Sequence, residues 1–217
     1  MSGSAWHAMA AKTTSCSISD VLMKQGKRQF MAQRLRQVGT RRVAGPALTI
    51  SRRRVGSGQP GSALPNMRLL EAIASAPEGT VLVFDWPGAE AALWGGLLAA
   101  AAVQGKLGGV ISDGPVRDPD EIAEMGCPCF CTGAVPAGQA GILELASIGE
   151  PLECGGVPVN TGDFILGDAS GVVVIPAGLE ESVLREAASV EDRDQAAMAM
   201  LKQGKGLLEV MKALGRA

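Results

Sequence analysis

The sequence predicts a mixed α/β domain in which two parallel strands are joined by a helix and followed by hairpins. Apolar runs over Thr80–Phe84 and Leu107–Ile111 flank a stretch of small apolar residues, which is the pattern of a β-α-β unit. From Gly149 onward, short β-branched runs alternate with glycine turns, as in antiparallel hairpins. A helical pattern from about Leu179 to the end of the chain predicts a C-terminal helical arm.

The N-terminal part of the chain predicts a tail, a helix and a strand. Residues 1–14 are small and polar without periodicity, so we expect a disordered tail before a single domain over residues 15–217. Ser17–Asp20 offers an N-cap for a helix that includes Val21–Met23. Val43–Ser51 is predicted to be a strand, because β-branched and apolar residues follow a charged segment there.

The central part of the sequence predicts the β-α-β unit and the helices on either side of it. Asn66–Ala76 has apolar residues at helical spacing and precedes the first strand of the β-α-β unit. The apolar stretch Ala91–Val103 predicts a helix that begins near Ala89. Because a helical crossover joins the flanking strands, we expect them to be parallel and buried. A shorter helix is predicted at Pro119–Met125.

Composition argues against several kinds of partner. The 217 residues carry a formal net charge of −2, so no overall basic field attracts nucleic acid, and without tyrosine few rings can stack on single strands. The arginines between Arg34 and Arg54 are expected to be mostly solvated residues of strand edges. The first residues do not resemble a signal peptide, and the longest apolar run is too short for a bilayer. We therefore expect a cytoplasmic protein with neither a nucleic-acid nor a membrane partner.

Several residues of types that often carry chemistry are predicted to be structural. Cys127, Cys129 and Cys131 alternate, so they share one face of a strand and suit core packing. A metal site would instead need Cys-x-x-Cys pairs or histidine partners. Asp163 and Asp168 follow glycines in the predicted hairpins, and we expect both to be turn formers.

The most informative stretch joins the segment Trp94-Gly95-Gly96-Leu97-Leu98 to Arg117 and Asp118. A glycine turn and the β-branched run at Gly108–Ser112 precede a loop in which the arginine and the aspartate are adjacent. A guanidinium holds a carboxylate through two hydrogen bonds, and a carboxylate is a ligand for hard divalent cations. The pair therefore predicts a site for a substrate that is both an acid and an oxo compound. A surface ion pair in a turn is the alternative on spacing alone.

This segment resembles the signature of the RraA-like family, which contains the regulator of ribonuclease activity A and the 4-hydroxy-4-methyl-2-oxoglutarate aldolases. The signature reads Gly-Asp/Glu-x-Leu, then a glycine-rich strand, then Asp/Asn-Gly-x-x-Arg-Asp. Here Gly96 occupies the acid position, and the twenty residues Leu97–Val116 separate it from Arg117, as in the signature. The resemblance covers roughly residues 15–210 and includes four further stretches: Ser19–Leu22, Ala44–Ile50, Gly156–Asp163 and Gly167–Pro176.

The resemblance implies a fold, an assembly and a chemistry. The fold would be a swivelling β/β/α domain with mixed sheets, assembled as homotrimers or hexamers with sites between subunits. The chemistry would be that of a divalent-metal-dependent lyase, which cleaves a 4-hydroxy-2-oxo acid such as 4-hydroxy-4-methyl-2-oxoglutarate to pyruvate. Oxaloacetate decarboxylation would be a related activity. A 2-oxo acid chelates one cation through its carboxylate and carbonyl, so no Schiff-base lysine is needed.

The resemblance also implies roles for individual residues. Arg117 would be catalytic and bind the substrate at its carboxylate or carbonyl side, and Asp118 would ligate Mg²⁺ or Mn²⁺. The backbone N–H groups of Gly95–Leu98 would contact the carboxylate, where glycine permits close backbone approach. An acid from a neighbouring subunit's C-terminal helix would assist, and Glu191 or Asp194 is the candidate.

Three alternatives stay open at this point. Gly95 and Gly96 also suit tight packing of a helix on a strand, and Asp118 followed by proline is a common way to cap a helix. The missing acid at Gly96 predicts weaker metal binding and slow cleavage. It also favours a second function, a non-catalytic regulatory protein that acts by contact with a protein partner, whereas the presence of Arg117 with Asp118 favours the lyase.

Overall fold

A mixed sheet of eight strands forms the centre of the molecule. The structure, a computed structural model, describes residues 3–56 and 66–215. In chain order the strands are β1 (Arg36–Val38), β2 (Val43–Arg54), β3 (Val81–Phe84), β4 (Gly109–Ser112), β5 (Cys129–Cys131), β6 (Leu143–Ile148), β7 (Leu152–Cys154), β8 (Val157–Val159), β9 (Phe164–Asp168) and β10 (Gly171–Ile175). The sheet order is β1-β5-β4-β3-β2-β9-β10 with β6 also paired to β2, and β7 and β8 form a separate hairpin.

The long strand β2 connects the two parts of this sheet. Its residues Ala47–Ile50 pair in parallel with β3, whereas Val43–Pro46 pair antiparallel with β9 and Ile50–Arg54 pair antiparallel with β6. The register with β6 shifts between Ser51 and Arg52. A bulge of this kind changes the alternation of side chains along a strand.

Helices cover one face of the sheet, and the buried cluster on the opposite face instead includes Cys154, Val157 and Val159 of the β7-β8 hairpin. The helices are α1 (Gly3–Ala10), α2 (Ser15–Lys24), α3 (Met67–Ser75), α4 (Gly96–Gln104), α5 (Pro119–Glu124), α6 (Glu180–Lys202) and α7 (Leu207–Ala213). Helices α2 and α6 pack on the β9-β10 hairpin through a buried cluster that includes Ile18, Phe164 and Leu184. Helices α3, α4 and α5 contribute Leu69, Ala99 and others to a second cluster on the parallel strands. None of the described helices is long and apolar enough to cross a membrane.

The predicted α/β class is confirmed, with its mixed sheet and C-terminal helices. Strands β3 and β4 flank α4 and are parallel, with Leu82 opposite Val110, as the crossover requires. The hairpins β7-β8 and β9-β10 follow Gly149, and the C-terminal helices begin at Glu180. The swivelling β/β/α fold implied by the resemblance agrees with this arrangement.

The alternating cysteines are core residues, as the sequence predicts. Cys127, Cys129 and Cys131 join one buried cluster, whereas the intervening Phe130 joins the cluster on the opposite face. Burial raises the pKa of the Cys127 thiol to about 11. A thiol with so high a pKa stays protonated at neutral pH, so it is a poor nucleophile and metal ligand.

The predicted disordered tail is wrong over most of its length. Residues 3–10 form α1, and Ala10 is buried. The ring of Trp6 packs edge-on against Phe164 at a centroid distance of 6.4 Å, and Arg42 Nη2 donates to the Thr13 carbonyl at 2.6 Å. These contacts with distant residues stabilise a segment that has no helical periodicity of its own.

Candidate functional site

The loops that follow β3, β4 and β5 meet at one edge of the sheet and form the candidate site. Strands β2, β3 and β4 run parallel, and the register places Ile50 opposite Phe84 and Phe84 opposite Ser112. The residues after these strands therefore share the carboxyl edge, where ligands bind in open α/β sheets. Arg117 and Asp118 lie in the loop that follows β4.

The loop after β4 is held against the segment that precedes α4. Trp94 and Val116 form a parallel bridge, in which the Arg117 N–H donates to the Trp94 carbonyl at 3.0 Å. This pairing keeps the chain before α4 extended, so the helix begins at Gly96. The predicted helix start near Ala89 is wrong, because the backbone there bonds to other loops instead of to a helical turn.

The first turn of α4 faces Asp118. Its N-cap residue, Gly95, is extended and has no side chain that could cap the turn. Instead, the Gly96 N–H donates to Asp118 Oδ2 at 3.1 Å, and the same oxygen accepts a hydrogen bond from Arg117 Nε at 3.2 Å. The first N–H groups of an α-helix lack intrahelical partners and carry partial positive charge. The structure therefore brings Gly95, Gly96, Arg117 and Asp118 together, and Leu97 and Leu98 follow in the same helical turn.

Charged side chains approach both glycines closely. A Cβ at Gly95 would lie 2.8 Å from Arg117 Cγ and 3.2 Å from Asp118 Oδ2. A Cβ at Gly96 would overlap a carboxylate oxygen of Glu121. The nearest crowding atoms belong to the loop after β4 and to α5, so packing of a helix on a strand does not explain these glycines. We call Gly95, Gly96, Arg117, Asp118 and Glu121 the Arg-Asp corner.

Asp118 does not cap α5 with its side chain, so the capping prediction is wrong. It occupies the N-cap position in the left-handed conformation, with φ 56° and ψ 44°, and its carboxylate makes no cap hydrogen bond. Side-chain capping normally needs an extended N-cap residue. A non-glycine residue in the left-handed region costs on the order of 1–3 kcal/mol, although aspartate tolerates it better than most. Such strain concentrates at functional sites.

The Arg117 guanidinium is half-exposed and lies between two backbone segments. The Arg117 side chain is 50% exposed and that of Asp118 is 35% exposed. A Cβ at Gly138 would lie 3.1 Å from Arg117 Nη1, so the loop after β5 also approaches the guanidinium. An arginine in this position is accessible to a ligand, and its fork matches a carboxylate.

A second ion pair holds the start of the same loop. Arg34 Nη2 donates to both carboxylate oxygens of Asp113, at 2.7 and 2.8 Å. Ser112 Oγ donates to the Gly114 carbonyl at 3.0 Å, and a Cβ on Gly114 would lie 2.8 Å from Leu93 Cδ1. These contacts fix the chain that leads to the Arg-Asp corner. Arg34 was expected to be among the mostly solvated arginines of strand edges, and this ion pair was not predicted.

Arg52 is a charged residue of this sheet edge whose environment the sequence does not reveal. It is 4% exposed rather than solvated, because the β2 bulge turns it inward. Its backbone N–H donates to Asp85 Oδ1 at 3.0 Å and its Nη2 donates to Gln139, but Nε and Nη1 have no partner among the described residues. Burial lowers the pKa of the Arg52 guanidinium, and the charge of Asp85 partly opposes this.

The oxygen donors of the Arg-Asp corner suit a hard divalent cation. Asp118 and Glu121 are carboxylates, the ligand type that Mg²⁺ and Mn²⁺ prefer. Over residues 3–56 and 66–215, no group of three or more His, Cys, Asp or Glu side chains could hold a metal ion. Magnesium is commonly bound by one or two carboxylates, with substrate and water completing its shell. The corner therefore fits such an ion when the substrate supplies further ligands.

The predicted acids of the C-terminal helix lie elsewhere in this chain. Glu191 and Asp194 are on α6, which packs against α1 and α2. Thr14 Oγ1 donates to Glu191 Oε1 at 2.6 Å, so this carboxylate is engaged within its own chain. A contribution of either acid to a neighbouring subunit's site stays a prediction.

Comparisons with known proteins agree with this architecture. Residues 15–174 match the model of the RraA-like family, described as aldolase/RraA. A protein of Halalkalibacterium halodurans, provisionally named a 4-hydroxy-4-methyl-2-oxoglutarate aldolase, is 37% identical over 155 residues, which are 71% of this chain and 69% of that protein.

Solved structures share the fold at lower identity. Streptomyces coelicolor RraAS2, described as an unusual member of the RNase ES inhibitor RraA protein family, superposes with a TM-score of 0.76 at 22% identity, covering 88% of this chain and 96% of that one. An uncharacterised protein of Pseudomonas syringae gives a TM-score of 0.82 at 22% identity, covering 94% and 96%. The family match over most of the chain and the 37% identical relative show that this protein belongs to the RraA-like family.

Proposed function

We propose that this chain is a divalent-metal-dependent carbon–carbon lyase, which cleaves a 4-hydroxy-2-oxo acid of the 4-hydroxy-4-methyl-2-oxoglutarate type and releases pyruvate. Decarboxylation of oxaloacetate would be a related activity, because both reactions leave a pyruvate enolate. The observation that carries the proposal is the Arg-Asp corner, where a half-exposed arginine and a strained aspartate face the open first turn of α4. The provisional name of the Halalkalibacterium relative supports the same reaction class.

Arg117 orients the acidic end of the substrate. Its fork forms charge-assisted hydrogen bonds with a carboxylate, and a point charge such as lysine cannot reproduce that geometry. The N–H groups of Leu97 and Leu98 belong to the first turn of α4, so they offer further donors on the same side. Together these groups fix which end of a 2-oxo acid enters the corner.

Asp118 would hold the cation beside the bound acid. Gly96 N–H and Arg117 Nε both donate to its Oδ2, which keeps the carboxylate directed towards α4. Mg²⁺ or Mn²⁺, when bound, supplies Lewis-acid stabilisation of the negative charge that develops on the 2-oxo oxygen. Arg117 stays within reach of the same end of the substrate and adds electrostatic stabilisation there.

The proposal includes an assembly in which subunits share their sites. We propose a homotrimer or hexamer, in which Glu191 or Asp194 of α6 reaches the Arg-Asp corner of a neighbouring subunit. Light scattering would measure the assembly. A strictly monomeric protein with full activity would contradict this part.

The decisive experiment measures pyruvate release from oxaloacetate and from 4-hydroxy-4-methyl-2-oxoglutarate, with and without added Mg²⁺. We expect release that Mg²⁺ stimulates and that EDTA abolishes. Release that resists the chelator would contradict the metal-dependent mechanism, and no release from either substrate would contradict the lyase.

A second candidate function is a non-catalytic regulatory protein that binds a protein partner. The observation that favours it is Gly96, which stands where the family signature has an acid. The same assay separates the two functions, because a regulator would fold and assemble but release no pyruvate under any metal condition.

A further inference from the structure

A carboxylate from another helix lies where a side chain at Gly96 would be. An ideal Cβ on Gly96 would overlap Glu121 Oε2, and it would lie 3.5 Å from both Cβ and Oδ2 of Asp118. Glu121 is in the first turn of α5, three residues after Asp118, and Glu121 Oε2 and Asp118 Oδ2 both approach the position of that Cβ. Two carboxylates therefore flank one point at the N-terminus of α4.

We propose that Glu121 supplies the second carboxylate of the cation site, in the place that Gly96 leaves empty. This inference rests on the proposed function, because the cation belongs to that reaction. Glu121 acts on the substrate through the cation, so it is a positioning residue. Its ligand is a hard divalent cation of the Mg²⁺ or Mn²⁺ type.

The charges around Gly96 favour a cation between the two carboxylates. Arg117 Nε offsets the charge of Asp118 at 3.2 Å, whereas no arginine or lysine among the described residues forms an ion pair with Glu121. Two negative groups and one positive group leave the corner with a net negative charge. A divalent cation offsets the repulsion between the carboxylates, and the exposure of Glu121 lets the ion enter without burying a bare charge.

A helix-stabilising role is the competing explanation for Glu121. An acidic residue in the first turn of a helix interacts favourably with the helix dipole. Asp120 lies in the same turn, is exposed and carries the same charge, so it provides a matched control. A dipole role predicts that Glu121→Gln and Asp120→Asn reduce stability equally and leave metal affinity unchanged.

Calorimetric titration of Mn²⁺ into the full chain tests this inference independently of turnover. We expect Glu121→Gln to weaken Mn²⁺ binding by about 10- to 100-fold, and Asp120→Asn to stay within about twofold of the wild type. Equal Mn²⁺ affinity in the wild type and Glu121→Gln would overturn the inference while leaving the proposed function intact. If the wild type itself binds no Mn²⁺, the metal-dependent function fails, and this inference fails with it.

A second set of variants moves the carboxylate instead of removing it. Gly96 is the first residue of α4 and lies outside the left-handed region, so its backbone accepts aspartate. The double variant Gly96→Asp/Glu121→Ala should bind Mn²⁺ within about fivefold of the wild type, whereas Glu121→Ala alone should show the 10- to 100-fold loss. Circular dichroism checks that each variant is folded. A folded double variant as weak as Glu121→Ala would contradict the proposal that a carboxylate is needed at this point.

Discussion

Asp118 and Asp163 both lie in turns, but their carboxylates have opposite environments. Asp163 is 2% exposed and accepts hydrogen bonds from the backbone N–H groups of Asn160 and Ala177, at 2.8 and 2.9 Å. The Asp118 side chain is 35% exposed, and its hydrogen bonds to a helix N–H and to Arg117 are 3.1 and 3.2 Å long. Asp118 also has a left-handed backbone.

The comparison separates a structural carboxylate from one that is available to a ligand. The protein must supply hydrogen-bond donors to a buried carboxylate, because its acceptor oxygens would otherwise be left unpaired at a cost in stability. A partly exposed carboxylate with long hydrogen bonds exchanges partners at lower cost, so a cation can recruit it. Asp163 is the turn former that the sequence predicts, and Asp118 has the properties of a site residue.

The largest expected effect is the loss of turnover in Asp118→Asn. Asparagine keeps the size of the side chain and tolerates the left-handed backbone, but it removes the charge that holds a cation. We expect pyruvate release to fall by roughly 10³-fold or more, because Lewis-acid catalysis contributes several kcal/mol. Stability in urea should change by less than about 0.5 kcal/mol. A stable variant that keeps its turnover would place Asp118 with Asp163 as a structural residue.

The next effect concerns the arginine beside Asp118. Arg117→Lys keeps the charge but loses the planar fork, so we expect a loss of about 2–4 kcal/mol in transition-state stabilisation. In kcat/KM for oxaloacetate this is a decrease of roughly 30- to 1000-fold. Arg53→Lys, at a surface ion pair with Glu144, serves as the control and should be neutral. Near-normal turnover in Arg117→Lys would show that a point charge suffices at the corner.

Periodicity and spacing predict much of the fold because those signals are local. The apolar runs predict the parallel pair β3 and β4, and the alternation of Cys127, Cys129 and Cys131 predicts their shared face. The start of α4 was missed because the pairing of Trp94 with Val116 joins residues that are distant in sequence. Strands β1 and β6 were missed because they are short or partly exposed and carry little pattern.

In the candidate site too, some residues were predicted from the sequence, and others were missed because their positions depend on tertiary packing. The family signature predicts that Arg117, Asp118 and the first turn of α4 lie together, and the structure brings them together. Their catalytic roles stay predictions. Glu121 was missed because its position over Gly96 depends on how α5 packs beside α4.

For Asp163, the buried carboxylate of this comparison, we expect substitution to reduce stability without reducing turnover. In Asp163→Asn, one carboxylate oxygen becomes an NH₂ group that faces a backbone donor, so we expect a loss of about 1–3 kcal/mol in the free energy of unfolding. Urea denaturation measures this change. The folded variant should keep its kcat/KM for oxaloacetate within about twofold, since Asp163 is in the β8-β9 turn rather than in the corner. Reduced turnover at full stability would assign Asp163 to the site.

The smallest expected effect is a stability gain that tests the strain at Asp118 directly. Glycine adopts φ 56° without the steric cost that an L-residue meets. The free energy of unfolding of Asp118→Gly should therefore be about 1 kcal/mol higher than that of Asp118→Ala. Both variants lose the carboxylate, so the difference between their free energies of unfolding measures the cost of the left-handed backbone conformation.

Ala100→Gly supplies the opposite control, because Ala100 is exposed within α4 and glycine there should cost about 1 kcal/mol. Urea denaturation of the four proteins, with the wild type as reference, gives both differences. Equal stability of Asp118→Gly and Asp118→Ala would mean that the left-handed backbone stores no strain. The contrast with Asp163 would then rest on exposure and hydrogen bonding alone. A higher free energy of unfolding for the inactive Asp118→Gly than for Asp118→Ala would instead show that the protein gives up stability to position this carboxylate.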